Sequence, residues 1–261
     1  MKLTLFQIDA FTNQLFSGNP AAICPLEAWL EDDKMQKIAA ENNLAETAFF
    51  VKNGGQYDIR WFTPTVEVDL CGHATLAAAF VLYHQLGEVT PEILFYSHRS
   101  GHLRVAKEGN MLTLNFPVDQ IHDIDFDWGM FKGLAIPAKE VLKGKTDYLF
   151  VYENERQVAD MKPDFFEIAK LKARGIIITA PGDEVDFVSR FFGPQSGIDE
   201  DPVTGSAHTT LIPYWSNKLN KSQLTAKQLS ARGGNLACEL LGDRVYISGE
   251  CVLYMVGEIC V

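Results

Sequence analysis

The sequence feature that most constrains the fold is an internal repeat. Three blocks recur at one offset of 133 residues: Ser97–Leu103 with Ser230–Leu236, Gly72–Ala74 with Gly205–Ala207, and Gly109-Asn110 with Gly242-Asp243. Matches in three separate blocks indicate a duplication of the chain rather than chance similarity. A duplication with only two copies predicts a protein of two similar domains and not a solenoid.

Each copy is predicted to hold the same elements: a strand, a loop ending in glycine, an apolar helix and a hairpin. The predicted helices are 33–42, with Asp32 or Asp33 as N-cap, 74–86, 164–172 and 207–219; the predicted strands are 57–62, 93–97, 102–107, 111–116, 186–192, 236–240 and 244–248. Apolar residues fill 74–86 and 207–219 so densely that we expect both helices to be buried on most sides.

These patterns predict an α+β fold of two duplicated halves, each with a central helix wrapped by a mostly antiparallel, barrel-like sheet. The predicted halves are residues 1–116 and 117–261, and the last strand is a candidate to pack back on the first half. Turn dipeptides between alternating runs predict the hairpins within each half.

Composition excludes several classes of function. The chain has 261 residues, a formal net charge of −11 and no long basic run, which argues against binding to nucleic acid or to a membrane surface. No apolar run approaches the roughly 18 residues of a membrane helix. Five cysteines without a C-x-x-C pair predict neither a zinc knuckle nor a disulfide framework, and we expect a cytoplasmic location. Dinucleotide and nucleoside-triphosphate motifs are missing from the sequence.

The repeated glycines predict two anion-binding helix starts. Gly72 and Gly205 open equivalent helices, whose first N–H groups lack partners within the helix and carry the positive end of its dipole. Such groups bind carboxylate or phosphate. The alternative is that the glycines only permit tight turns. Because the pair arose by duplication, we favour a shared cleft that holds a small anion.

The two copies differ beside these glycines. Cys71 precedes Gly72, whereas Thr204 precedes Gly205, so the matched pair of thiols that a two-base racemase needs is incomplete. We interpret Cys71 as a small buried side chain rather than a catalytic thiolate. Asp201 precedes Pro202 in an acidic loop and is a candidate to orient His73 or to transfer a proton, while His208 could support the site from behind.

Glu46 is a second candidate for proton transfer. It is the only charged residue between Glu41 and Lys52, at the mouth of an apolar strand. Burial among apolar groups raises the pKa of a carboxyl group, which suits a residue that accepts and returns a proton. Spacing alone also fits an exposed glutamate at a strand edge.

Several motifs together resemble the PhzF-like isomerase family of phenazine biosynthesis. They are Phe6–Phe11, Gly18–Ala21, Asn43–Phe49, Cys71–Thr75 and Asp201–Ala207, in the order of the family and over nearly the whole chain. The resemblance implies the fold of diaminopimelate epimerase, a homodimer and no metal or organic cofactor. It also implies that Glu46 is the catalytic acid–base and that His73, Asp201 and Ser206 complete the catalytic set.

Substrate binding is assigned to residues of the same motifs: Gly72, Gly205, Asn19 and Ala74. The sequence therefore predicts a cofactor-independent isomerase that moves a proton on a small carboxylate. Two alternatives stay open, an amino-acid racemase or epimerase and a non-catalytic protein that binds small anions.

Overall fold

The computed structural model describes residues 1–128 and 130–261. In chain order its elements are β1 (Lys2–Ala10), β2 (Asn19–Leu26), α1 (Asp32–Asn42), β3 (Glu46–Asn53), β4 (Gln56–Phe62), β5 (Glu67–Val68), α2 (Gly72–His84), β6 (Glu92–Ser97), β7 (Gly101–Glu108), β8 (Met111–Pro117), β9 (His122–Asp123), β10 (Glu140–Lys143), β11 (Asp147–Val151), α3 (Glu155–Ala159), α4 (Phe165–Ile168), β12 (Gly175–Pro181), β13 (Phe187–Gly193), a 3₁₀ turn (Pro194–Ser196), β14 (Ile198–Asp201), α5 (Gly205–Leu219), β15 (Gln223–Gln228), β16 (Gly234–Leu241), β17 (Arg244–Gly249) and β18 (Cys251–Cys260). None of the helices in these two ranges is long and apolar enough to cross a bilayer.

The chain forms two compact units. Unit 1 consists of Met1–Asn115 together with Ser248–Val261, and unit 2 consists of Phe116–Ile247. Unit 1 is therefore discontinuous along the chain, because β18 pairs antiparallel with β1 over residues Lys2–Ala10. Unit 2 is continuous.

In unit 1 the sheet wraps around α2. The helix packs against strands β1, β2, β3, β7 and β18. Every residue of α2 from Gly72 to Tyr83 is buried except Phe80, which is half-buried. Alanines at 74 and 77–79 keep the helix narrow, so the strands approach it from several sides, as a helix that is apolar all round requires. A second apolar cluster lies under α1, around Met35, Phe49 and Phe62.

Unit 2 repeats this plan around α5, which packs against β15 and β16. Trp215 and Leu211 of this helix are buried, and the indole N–H of Trp215 donates to Thr179 Oγ1 at 2.9 Å. A separate cluster of apolar side chains, built around Phe150, Ile178 and Phe192, fills the other face of β11, β12 and β13.

The two units share one series of strand pairings. In unit 1, β2 pairs parallel with β3, β3 antiparallel with β4, β4 parallel with β6, and β6 antiparallel with β7. In unit 2, the same orientations join β11 with β12, β12 with β13, β13 with β15, and β15 with β16. Helices α2 and α5 begin at Gly72 and Gly205, the glycines that the repeat aligns. The predicted α+β fold of two similar halves, each with a central helix, is confirmed.

Most predicted elements are confirmed within two residues of their expected bounds, and three details are corrected. Helix α1 takes Glu31 as N-cap, without a side-chain cap, instead of Asp32 or Asp33. The helix predicted at 164–172 shortens to α4, where the Asp164 carboxylate caps the N–H of Glu167. The acidic segment before Pro202 is strand β14 rather than a loop, since it pairs with β13 and Glu200 binds Arg190.

Candidate active site

In unit 1, Glu46 and His73 meet in a buried setting. Glu46 is the first residue of β3, and His73 is the second residue of α2. The two residues are 9% and 4% exposed. Glu46 Oε2 lies 3.3 Å from His73 Nε2, a contact whose alignment falls short of a full hydrogen bond. Spacing had allowed Glu46 to be an exposed strand-edge residue, and its burial shows that interpretation to be wrong.

The other ring nitrogen of His73 faces two different groups. The side-chain amide nitrogen of Asn19 lies 3.1 Å from His73 Nδ1, and Cys71 Sγ lies 3.5 Å from the same atom. Asn19 is fully buried at the start of β2, and Cys71 is the buried N-cap residue of α2. The prediction that Cys71 is a small buried side chain is confirmed, and its thiol also touches the candidate site.

Burial sets the charge state of His73. The surrounding protein removes water from the ring and lowers its pKa from 6.5 to about 3. The imidazole is therefore neutral at physiological pH, with one nitrogen carrying hydrogen and the other presenting a lone pair. A neutral ring beside Glu46 can donate a hydrogen bond to the carboxylate but brings no positive charge to it.

Glu46, Cys71 and His73 also form the one group of three potential metal ligands within residues 1–128 and 130–261, with donor atoms within 4.8 Å of one another. The ring, however, turns Nδ1 toward the thiol and Nε2 toward the carboxylate. A metal ion binds only one nitrogen of an imidazole. An ion held by all three residues would therefore require the ring to lose its contact with either the thiol or the carboxylate. The arrangement fits proton transfer better than the closed shell of ligands around a structural metal.

In unit 2, the side chain of Gln228 forms hydrogen bonds with the residues just before α5. Its side-chain amide nitrogen donates to the Asp201 carbonyl at 2.7 Å, and its amide oxygen accepts from the Thr204 N–H at 2.9 Å. The Thr204 hydroxyl donates to Asp201 Oδ2 at 2.6 Å. All three residues are buried, with Thr204 as the N-cap of α5. These bonds fix the carboxylate of Asp201 against the entrance of the helix.

Arg174 is a site residue that the sequence did not predict. Its guanidinium donates to Ser206 Oγ at 2.7 Å and to both carboxylate oxygens of the buried Asp147. Arg174 directly precedes β12, the counterpart of β3 in the pairing series, and Ser206 is the counterpart of His73. Each unit thus joins a charged side chain at the start of one strand to the second residue of its central helix.

The remaining predicted residues lie in the first turns of the two central helices. Gly72, His73 and Ala74 form the first turn of α2, and Gly205 and Ser206 form that of α5. Neither helix has a side-chain cap on this turn. His208, one turn into α5, is completely buried, and its Nδ1 donates to the Thr204 carbonyl at 2.8 Å. The roles assigned to all of these residues stay predictions, as does the cleft expected between the two halves.

Comparison with known proteins identifies close relatives. A family model described as phenazine biosynthesis-like protein matches residues 8–257. An uncharacterized isomerase of Pseudomonas aeruginosa is 51% identical, over 99% of both chains. The crystal structure of a phenazine biosynthesis protein of the PhzF family from Enterococcus faecalis covers 100% of both chains, with a TM-score of 0.97 and 46% identity.

A more distant likeness concerns the fold alone. A hydroxyproline epimerase from Agrobacterium vitis superposes with a TM-score of 0.62 at 8% identity, over 99% of this chain and 92% of the epimerase. The epimerase-like fold that the sequence resemblance implied is therefore confirmed.

Proposed function

The chain belongs to the phenazine biosynthesis-like protein family and is an isomerase, and we propose that Glu46 is the acid–base that moves a proton on a small carboxylate substrate. The observation that carries this proposal is the buried contact between Glu46 Oε2 and His73 Nε2 at the first turn of α2. A carboxylate that takes a proton from one carbon can return it to another without a cofactor.

The surroundings of Glu46 support such a transfer. Removing a proton from carbon leaves negative charge on the substrate, and the first N–H groups of α2 can stabilise it. His73 is neutral, so it does not neutralise the Glu46 carboxylate and weaken it as a base. Glu46 is the one acidic residue of this group of side chains.

In unit 2, we propose that the start of α5 binds the carboxylate group of a small molecule. Ser206 Oγ accepts a hydrogen bond from Arg174, so the single hydroxyl proton of Ser206 is available to donate to an anion. The N–H groups of the first turn add the positive end of the helix dipole. Asp201 is a candidate acid–base or orienting residue here, because Thr204 and Gln228 hold it in one position.

We also propose a homodimer that works in the cytoplasm. Phe16 and Tyr254 of unit 1 are 69% and 49% exposed and contact each other edge to face at 5.9 Å, beside Val256 at 52%. Exposed apolar side chains grouped in this way are typical of subunit contacts. Light scattering coupled to size-exclusion chromatography would show a dimer for the wild type and a monomer for Val256→Glu.

The catalytic proposal is tested by proton exchange. Small carboxylates that raise the melting temperature are incubated with the protein in deuterium oxide, and NMR follows deuterium entering carbon. Glu46→Gln is expected to lose exchange by about 10²- to 10⁴-fold, the range typical of a general acid–base. The control Glu41→Gln, an exposed glutamate on α1, keeps wild-type exchange. Wild-type exchange in Glu46→Gln refutes the proposal.

The same assay separates the alternative functions. A racemase that uses the Cys71 thiol loses exchange at the α-carbon of an amino acid in Cys71→Ala, whereas the proposed isomerase retains most of its exchange in that variant. Binding of several carboxylates without any exchange in the wild type favours a non-catalytic protein that binds small anions.

A further inference from the structure

We propose that Asn19 is a positioning residue that holds His73 in the tautomer with hydrogen on Nε2, so that Nε2–H points at Glu46 Oε2. This inference rests on the proposed function of Glu46 for its catalytic meaning.

Two groups lie around His73 Nδ1, and the nearer one can only donate a hydrogen bond. The amide nitrogen of Asn19, 3.1 Å away, carries two hydrogens and has no lone pair to offer. The thiol of Cys71, 3.5 Å away, is a weak donor and a weak acceptor, so it fits either tautomer. Because the Asn19 amide nitrogen is the closer and stronger partner and can only donate, Nδ1 is the acceptor of this pair and the hydrogen of the neutral ring belongs on Nε2.

Burial strengthens this preference. Asn19 is fully buried, Cys71 is 6% exposed and His73 is 4% exposed. At such depth a wrongly placed hydrogen cannot find water, and a buried polar group left unpaired destabilises the folded protein. The low pKa of His73, about 3, keeps the ring neutral and so rules out the doubly protonated form near neutral pH.

Asn19 is itself held in place by the backbone. It is the first residue of β2 and pairs with Ala10 at the end of β1. Gly18 before it adopts a left-handed conformation with φ +67°, and Pro20 after it has a restricted φ angle. The amide that meets His73 is therefore anchored on the sheet and not on a free loop.

With hydrogen on Nε2 of His73, the two carboxylate oxygens of Glu46 have different roles. With hydrogen on Nε2, the ring can donate to Oε2, 3.3 Å away, and the contact can tighten when a substrate binds. Oε2 then serves as an acceptor from the ring, and the proton exchanged with substrate is carried on Oε1. The opposite tautomer would present a lone pair to Oε2 and repel the ionised carboxylate.

His208 supplies an internal reference. Its Nδ1 lies 2.8 Å from the Thr204 carbonyl oxygen, which can only accept, so its hydrogen must be on Nδ1. His208 is also completely buried, and burial lowers its pKa to about 4. The protein thus contains two neutral, buried histidines, one in each unit, that are expected to hold opposite tautomers.

Two-bond ¹H–¹⁵N correlation spectra of the histidine-labelled protein at pH 7 test the proposal. Each neutral ring shows which nitrogen carries hydrogen, and His73→Gln and His208→Gln assign the two signals. We expect hydrogen on Nε2 for His73 and on Nδ1 for His208. Hydrogen on Nδ1 of His73 in the wild type overturns the proposal, even if no variant of Asn19 folds.

Asn19→Asp is the informative variant. Its ionised carboxylate only accepts, so His73 is expected to carry hydrogen on Nδ1, either in the switched neutral tautomer or with a second proton, while His208 stays unchanged. The control Asn110→Asp, in an exposed turn, leaves both tautomers as in the wild type. A folded Asn19→Asp protein in which Nδ1 of His73 carries no hydrogen contradicts the role of Asn19.

Catalysis provides a separate readout. Once a substrate is known, Asn19→Asp is expected to lower kcat by about 10²-fold with little change in KM, because the ring then either withdraws its donor from Oε2 or brings a positive charge that weakens Glu46 as a base. If Glu46→Gln retains exchange while the wild type shows the expected tautomers, the proposed function fails and the tautomer assignment stands. If Glu46→Gln loses exchange and His73 carries hydrogen on Nδ1, the reverse holds.

Discussion

Arg174 and Asp147 form a two-armed ion pair: Arg174 Nε donates to Asp147 Oδ1 at 2.9 Å, and Nη2 donates to Oδ2. Asp147 is 2% exposed at the start of β11, whereas the side chain of Arg174 is 35% exposed. The pair therefore orients the guanidinium, whose remaining arm reaches Ser206 at the start of α5.

Removal of Arg174 should destabilise the protein. Arg174→Met leaves the buried Asp147 carboxylate without its partner, and we expect a loss of about 3 kcal/mol in the free energy of unfolding, at the lower end for a buried pair because Arg174 is partly exposed. Urea denaturation measures this loss. Adding Asp147→Asn should recover part of it, and a double variant as unstable as Arg174→Met contradicts the explanation. Arg156→Met, which breaks an exposed pair with Asp160, is the control.

Gly18 should tolerate no side chain. A methyl group there would lie 2.3 Å from the Ala10 carbonyl oxygen and 2.6 Å from Thr12 Cγ2, in addition to the left-handed φ of +67°. We expect Gly18→Ala to destabilise by about 3 kcal/mol. Gly54→Ala is the matched control, since Gly54 has φ +61° but open space around it, and it should cost only about 1 kcal/mol. Equal losses of stability in the two variants would show that the close approach does not matter.

The buried histidines should make stability depend on pH. Burial lowers the pKa of His73 to about 3 and that of His208 to about 4, from 6.5 for an exposed ring. Between about pH 4 and 6.5 the unfolded chain therefore binds protons that the folded chain does not, so the free energy of unfolding falls as pH falls. Each histidine contributes up to about 1.4 kcal/mol per pH unit.

Urea denaturation at several pH values measures this slope. His208→Gln and His73→Gln should each make the slope between pH 4.5 and 6 shallower, because the variant no longer takes up that proton on unfolding. The exposed His122→Gln serves as the control and should keep the wild-type slope. If the free energy of unfolding falls more steeply with falling pH in either variant, the folded protein protonates that histidine more readily than the unfolded chain does, and the explanation from burial is wrong.

How much of the site could be predicted from sequence depended on where each residue lies relative to the repeat. Gly72 and Gly205 recur at the same offset, so the starts of α2 and α5 could be located from the repeat alone. Glu46 lies outside the aligned blocks, and only its resemblance to a family motif favoured a role over an exposed strand edge. Its burial depends on β3 pairing with β2, a contact that spacing does not reveal.

Arg174 shows why the rest could not be predicted. The position in unit 1 that corresponds to Arg174 lies beside the start of β3. The spacing between these two positions differs by several residues from the offset that aligns the helices, so the repeat does not identify Arg174. A lone arginine before an apolar strand carries no signal until β12 and α5 are placed in three dimensions. Asn19 was predicted to bind substrate, but only the structure reveals that its amide faces the back of His73.

The pairing of β1 with β18 has a consequence for biosynthesis. The ribosome completes all of unit 2 before it makes β18, so the continuous unit can fold while the first strands still wait for their partner. During that interval one edge of β1 is uncovered and open to pairing with other chains. Nascent protein that stalls before Cys251 should therefore need chaperones most.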